Sequence, residues 1–147
     1  LRDRIAYCFA ENPYPGVPSF RLIDIEPNNP ININGIEIEP ISVMHYRLPI
    51  LGFKAGNLAY ITDAKVVPDE TIEKIKGIDT LVINSLRIEE HISHMTLQQT
   101  LDVIERVKPR IAYLTHLSHD MGLHAEVEKI LPDNVKIAYD NLTLSID

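Results

Sequence analysis

The pattern of the chain changes at Pro68, and that change limits the folds open to it. Before Pro68, apolar and polar residues alternate in short runs broken by turn residues. After it, apolar residues at helical spacing alternate with short, wholly apolar runs. Period-two segments joined by tight turns build antiparallel sheet, whereas helices alternating with buried strands build parallel sheet. A chain holding both halves is predicted to be an α/β domain with a mixed sheet and helices packed on its outer face.

Within the first half, Asn34-Gly35 stands between two alternating runs. Both residues tolerate positive φ, which a two-residue hairpin turn needs, so Ile31 and Ile33 are predicted to pair with Ile36 and Ile38. Residues 50–53 and 58–61, split by Lys54-Ala55-Gly56-Asn57, predict a second hairpin. Residues 20–27 alternate as well and predict a further strand. Ahead of them, residues 1–10 carry Leu1, Ile5, Cys8 and Phe9 at helical spacing, and three prolines make residues 12–18 an irregular loop. In the second half, residues 68–76 open on Pro, place acids first and lysines last, and predict a helix oriented as its dipole prefers. Strands are predicted over 80–83 and 110–114, helices over 96–107 and 122–131, and a closing strand pair over 135–139 and 142–146.

Composition bounds the function. The chain has 147 residues and a formal charge of −7, which argues against a general nucleic-acid surface. No apolar run approaches the roughly 20 residues of a membrane span. The single cysteine, Cys8, excludes a disulfide framework and suits a reducing, cytoplasmic setting. Leu1 in place of an initiating Met predicts a piece of a longer protein. Neither a glycine-rich phosphate loop nor a GxSxG elbow is present.

The six histidines carry the chemistry. His45 follows the apolar run ISVM, Asp63 follows LAYIT, and His116 follows IAYLT; His91 and His94 sit in the loop after TLVINSL. Ligands of open α/β sheets gather beyond the strand ends, where rigid strands hold converging loops. Imidazole with carboxylate suits a borderline divalent ion such as Zn²⁺ or Mn²⁺. Taken singly, a strand-end His is more often structural, and Asp63 more often caps a turn. The joint pattern is what points to a metal site. His119 and His124, beside a predicted helix, read singly as surface residues.

The strings VMHYRLPILGFKAGNLAYITDA, TLVINSL, HISHMT, RIAYLTHLSHD and AYDNLTLSI together resemble the C-terminal half of a metallo-β-lactamase-fold hydrolase, from about residue 20 onward. The resemblance is nearest to the cyclic phosphodiesterase branch of the carbon–phosphorus lyase pathway, relatives of tRNA 3′-end processing enzymes. It implies part of an αββα sandwich. It also implies His45 and His116 as metal ligands, Asp63 as the carboxylate bridging two divalent ions, and His94 as the catalytic residue that steadies phosphate or protonates the leaving oxygen. His91 and His119 are implied only at the substrate edge or behind the ligands. The family's His-x-His-x-Asp-His string is absent, so residues 1–147 are expected to be a single partial domain, inactive alone.

The expected activity is metal-dependent hydrolysis of a small phosphodiester or related ester. Uncovered apolar sheet faces predict a homo-oligomer. Two rival readings stand beside it: a non-catalytic α/β module that associates with itself or a partner, and an RNA-processing nuclease of the same fold.

Overall fold

The computed structural model describes residues 1–145. Its strands are β1 (Ile31–Ile33), β2 (Ile36–His45), β3 (Leu48–Ala55), β4 (Leu58–Ile61), β5 (Thr80–Asn84), β6 (Ile111–Thr115) and β7 (Val135–Ile137). Its α-helices are α1 (Asp69–Ile75), α2 (Leu97–Val107) and the single turn α3 (His124–Val127). The strands lie side by side in chain order, antiparallel from β1 to β4 and parallel from β4 to β7. The switch from hairpins to crossovers thus falls where the sequence changes character, and the fold is the expected α/β mixed sheet with helices.

Local chemistry explains the elements. The β1–β2 turn places Asn34 at φ 52° and Gly35 at φ 90°, and Ile31 faces Ile38 while Ile33 faces Ile36, as predicted. Helix α2 starts on a reciprocal cap: the Thr96 hydroxyl accepts from the Gln99 amide, and the Gln99 side chain accepts from the Thr96 amide. It ends with Lys108 in the left-handed region, just before Pro109.

The core lies on one face of the sheet. Alternate residues Ile41 and Val43, Ala59 and Ile61, Leu81 and Ile83, and Ala112 and Leu114 pack against Ile72 and Ile75 of α1 and Val103, Ile104 and Val107 of α2. Burying each large aliphatic side chain stabilises the fold by about 1.5–3 kcal/mol, which anchors both helices. Opposite them, Ile31, Ile38, Phe53, Leu58 and Tyr60 line an apolar groove of about 530 Å³. Among the described residues, no helix is long and apolar enough to cross a membrane.

Four expectations change. Residues 20–27 form no strand: Ile23 is exposed, and these residues pair with no ladder that would satisfy their backbone groups. The opening helix shrinks to a 3-10 turn at Ala6–Phe9, with Cys8 buried. The expected helix over 122–131 breaks into α3 and a 3-10 turn at Glu128–Ile130, preceded by Gly122 at φ 102°. Of the closing strand pair only β7 forms; residues 142–145 are irregular and Ile146 lies outside the described residues.

Candidate metal centre

The sheet delivers three side chains to one place. Asp63 lies two residues beyond β4 and His116 directly beyond β6, the parallel neighbours on either side of β5, while His94 comes from the loop between β5 and α2. Asp63 and His116 both have positive φ, 60° and 58°. A non-glycine residue in that region costs on the order of 1–3 kcal/mol and persists only where surrounding structure enforces it. The same unusual turn therefore ends the strands on both sides of β5.

The enforcing contacts come from β5. Asn84, fully buried at its last position, accepts from the Ala64 amide at 2.8 Å and donates to the Ala64 carbonyl at 2.9 Å. The Met95 amide donates to that same carbonyl at 3.1 Å, tying the residue after Asp63 to the residue after His94. Beyond His116, the Ser118 amide donates to the Leu86 carbonyl at 2.8 Å. Sequence reasoning passed over Asn84; its signal is one amide side chain closing an otherwise apolar run, TLVIN.

Asp63 Oδ1 lies 3.3 Å from His94 Nε2 and 3.2 Å from His116 Nε2, and the three ligand atoms all fall within 4.8 Å of one another. Two ligands each about 2.0–2.1 Å from a tetrahedral ion stand about 3.3 Å apart, so both Asp–His separations match a shared cation. The donor set of two imidazole nitrogens and one carboxylate oxygen fits Zn²⁺ or a similar ion. Among the described residues this is the one such ligand group. Clefts of about 400 Å³ lie on both sides, one bordered by His45, Thr62 and Asp63, the other by His116, Ser118 and His124.

His94 is the hub. Its ring stacks on His116 at 4.9 Å between centroids, meets His45 edge-on at 4.8 Å and touches His91 at 5.0 Å. Burial pushes His94 below the ordinary histidine value; its contact with Asp63 pulls upward, and repulsion from His116, His45 and His91 pushes down again. The structure thus brings together His45, Asp63, His91, His94 and His116. It groups His94, expected as the catalytic residue, with the ligand atoms, and sets His45, expected as a ligand, against the His94 ring. His119 is not part of the cluster: its side chain is 93% exposed and faces Asp120.

Fold and site define a class of protein, an α/β sheet with a divalent-metal-competent centre at its strand ends. Residues 1–117 match the family described as "Beta-lactamase superfamily domain", and the chain belongs to that family. It is 43% identical over 148 residues to an octanoyltransferase of Porphyromonas gingivalis (strain ATCC BAA-308 / W83), a match spanning the whole of this chain and 30% of the transferase. Among solved structures it is similar to a diphosphatase from the PhnP family, with 31% identity and a TM-score of 0.84 over all of this chain and 54% of the diphosphatase. Zinc-bound PqqB from Methylobacterium extorquens, 17% identical with a TM-score of 0.65, shares the fold over 83% of this chain and 55% of its own. The chain therefore spans about half the diphosphatase and under a third of the transferase.

Proposed function

We propose that this chain carries part of the active centre of a divalent-metal-dependent hydrolase acting on a small phosphoric ester or anhydride. The observation that carries the reading is the convergence of Asp63, His94 and His116 within 4.8 Å of one another, with both Asp–His separations at the spacing of ligands that share a cation. These three residues would hold the cation. When bound, it supplies Lewis-acid activation of water and neutralises phosphoryl charge. The protein's own part is to fix those ligands: Asn84 holds the turn after Asp63, and His45 and His91 brace the His94 ring. The flanking clefts leave room for the substrate on both sides of the cluster.

Similarity to a PhnP-family diphosphatase along the whole chain supports phosphoryl chemistry. A second ion, held by further ligands of a longer enzyme, belongs to the same proposal, as does a cytoplasmic setting suggested by the single buried Cys8. Self-association through the apolar groove at Phe53 and Tyr60 is proposed as well; analytical ultracentrifugation reads it directly.

The 43% identical relative favours a second reading, acyl transfer. Most of that transferase has no counterpart in this chain, so its name weighs less than the site. The intact polypeptide, assayed with Zn²⁺ or Mn²⁺ on bis-p-nitrophenyl phosphate, on a nucleoside diphosphate and for octanoyl transfer, separates the two. Phosphoric-ester or anhydride hydrolysis that Asp63→Ala abolishes supports the proposal. Octanoyl transfer unaffected by Asp63→Ala defeats it.

A further inference from the structure

We propose that Arg87 and Glu90 lace the loop between β5 and α2 into one shape and so position His94 against Asp63 and His116. The inference rests on the metal-site reading above for what His94 does there. The lacing itself follows from the contacts of the loop.

Residues 88–94 have little else to hold them. They form neither helix nor strand, and between Ser85 and Met95, both buried, no side chain of the loop enters the core; Ile88 and Ile92 are exposed. Among the described residues, no hydrogen bond joins two main-chain groups within 88–94. The loop is closed at its base, where the Leu86 amide donates to the Met95 carbonyl at 3.0 Å and the Leu97 amide to the Arg87 carbonyl at 2.9 Å. A segment with so few anchors samples many conformations unless something else orders it. His94, at its end, must nevertheless stand 3.3 Å from Asp63.

Arg87 supplies the missing ties. Its Nη2 donates to the Glu90 carbonyl at 2.8 Å and its Nε to the Glu89 carbonyl at 3.3 Å, which folds the loop back onto its own first turn. A guanidinium only donates, and its planar fork fixes the direction of both carbonyls as a lysine could not. The remaining nitrogen, Nη1, lies 3.5 Å from Asp120 Oδ2, on the segment that follows His116. That part-exposed ion pair adds little by itself, but it aims the fork.

Glu90 ties the other side. Its Oε1 accepts from the Lys65 ammonium and its Oε2 from the Gln99 side chain at 3.0 Å, while Lys65 also donates to Gln99 Oε1 at 3.0 Å. Lys65 lies two residues after Asp63, and Gln99 belongs to the cap that starts α2. Glu90 therefore joins the Asp63 turn through its carboxylate and Arg87 through its carbonyl, immediately before His91.

The test uses the intact polypeptide, first metal-free and then titrated with Zn²⁺. Backbone ¹⁵N order parameters over residues 88–94 should lie near the rigid value of about 0.85 in the wild type and fall below about 0.6 in Arg87→Ala, with β5 and α2 unchanged. Zn²⁺ affinity in calorimetry should fall about 10-fold, the lower end of what groups behind the ligands contribute. Losing a positive charge from this loop would by itself draw Zn²⁺ more strongly, so weaker binding reports geometry and not charge. Arg87→Lys keeps the charge but lacks the fork; it should fold and show both effects, and Glu90→Ala should loosen the same residues. Three results overturn the proposal: a wild-type loop already below about 0.6, order unchanged in both Arg87 variants, or wild-type Zn²⁺ affinity in a loosened variant. A loop that is rigid in the wild type and loosens in Arg87→Ala, with no Zn²⁺ bound by either protein, supports the lacing and overturns the cation-site reading instead.

Discussion

Asn84 holds the backbone of Ala64 from both sides, its Oδ1 receiving the amide at 2.8 Å and its Nδ2 reaching the carbonyl at 2.9 Å. The pair links the end of β5 to the residue that follows Asp63. Asp63 itself sits in the left-handed region, so its carboxylate is aimed by a turn with little intrinsic preference for that shape. The Thr100 hydroxyl donates to the Asn84 carbonyl at 2.9 Å and joins α2 to the same post.

Removing the amide of Asn84 leaves the Ala64 amide without a partner in a buried site. Asn84→Ala should lower unfolding free energy by about 1–3 kcal/mol in urea titrations. Because it frees the turn at Asp63, the same variant should bind Zn²⁺ more weakly than the wild type. Equal affinity in calorimetry would separate Asn84 from the site and leave it a purely structural residue.

Asp63 contributes the oxygen shared by both imidazoles. Asp63→Asn keeps the shape and removes the charge, and Asp63→Ala removes both. Both variants should lose Zn²⁺ and Mn²⁺ binding in isothermal titration; Asp63→Asn should keep the wild-type unfolding temperature, since Asn tolerates positive φ, whereas Asp63→Ala, which tolerates it less, should unfold lower. Unchanged stoichiometry in Asp63→Ala would rule out the ligand role.

Gly52 of β3 faces the core between Ile41 and Ile61. A methyl group there would meet the Tyr60 carbonyl at 3.0 Å, Ile61 Cγ1 at 3.1 Å and Ile41 Cγ1 at 3.3 Å, and both isoleucines are fully buried. Backbone and packed side chains have no room to yield, so Gly52→Ala should cost about 1–3 kcal/mol. Thermal unfolding reads the loss, and Gly35→Ala, strained only by its turn conformation, serves as the comparison.

The downward shift of His94 fixes a sign. The folded chain binds the His94 proton less readily than the unfolded chain, so His94 contributes stability above the ordinary value of about 6.5, and that contribution is lost as pH falls from there through the folded value. In metal-free buffer the wild type should therefore lose stability between about pH 7 and 5 more steeply than His94→Gln. Parallel profiles for the two proteins would show that burial at His94 does not carry the shift.

Much of the architecture was legible because its causes are local. Asn34-Gly35 dictates a turn through its own φ preferences, and the register of Ile31 with Ile38 follows from it. Pro68, the first-turn acids and the 3.6-residue spacing of α2 act within a few residues as well. Strand 20–27 was misread because alternation states only that a segment suits a ladder, not that a neighbouring strand exists to pair with it. The helix over 122–131 begins only at His124, after Gly122 at φ 102°, and gives way to a 3-10 turn at Glu128, a change that apolar spacing does not announce.

The amino-acid order alone determined that His45, Asp63, His94 and His116 follow strands, since that is a matter of position along the chain. Which of them come close enough together to share a cation was decided only by the sheet. Parallel pairing of β4, β5 and β6 sets the spacing between their ends, and the loop after β5 swings His94 into the gap between Asp63 and His116. His119, three residues from His116 in the chain, faces solvent instead. Ligation requires atoms about 2 Å from a common point, and distances that small depend on strand registry and turn angles that no local pattern encodes.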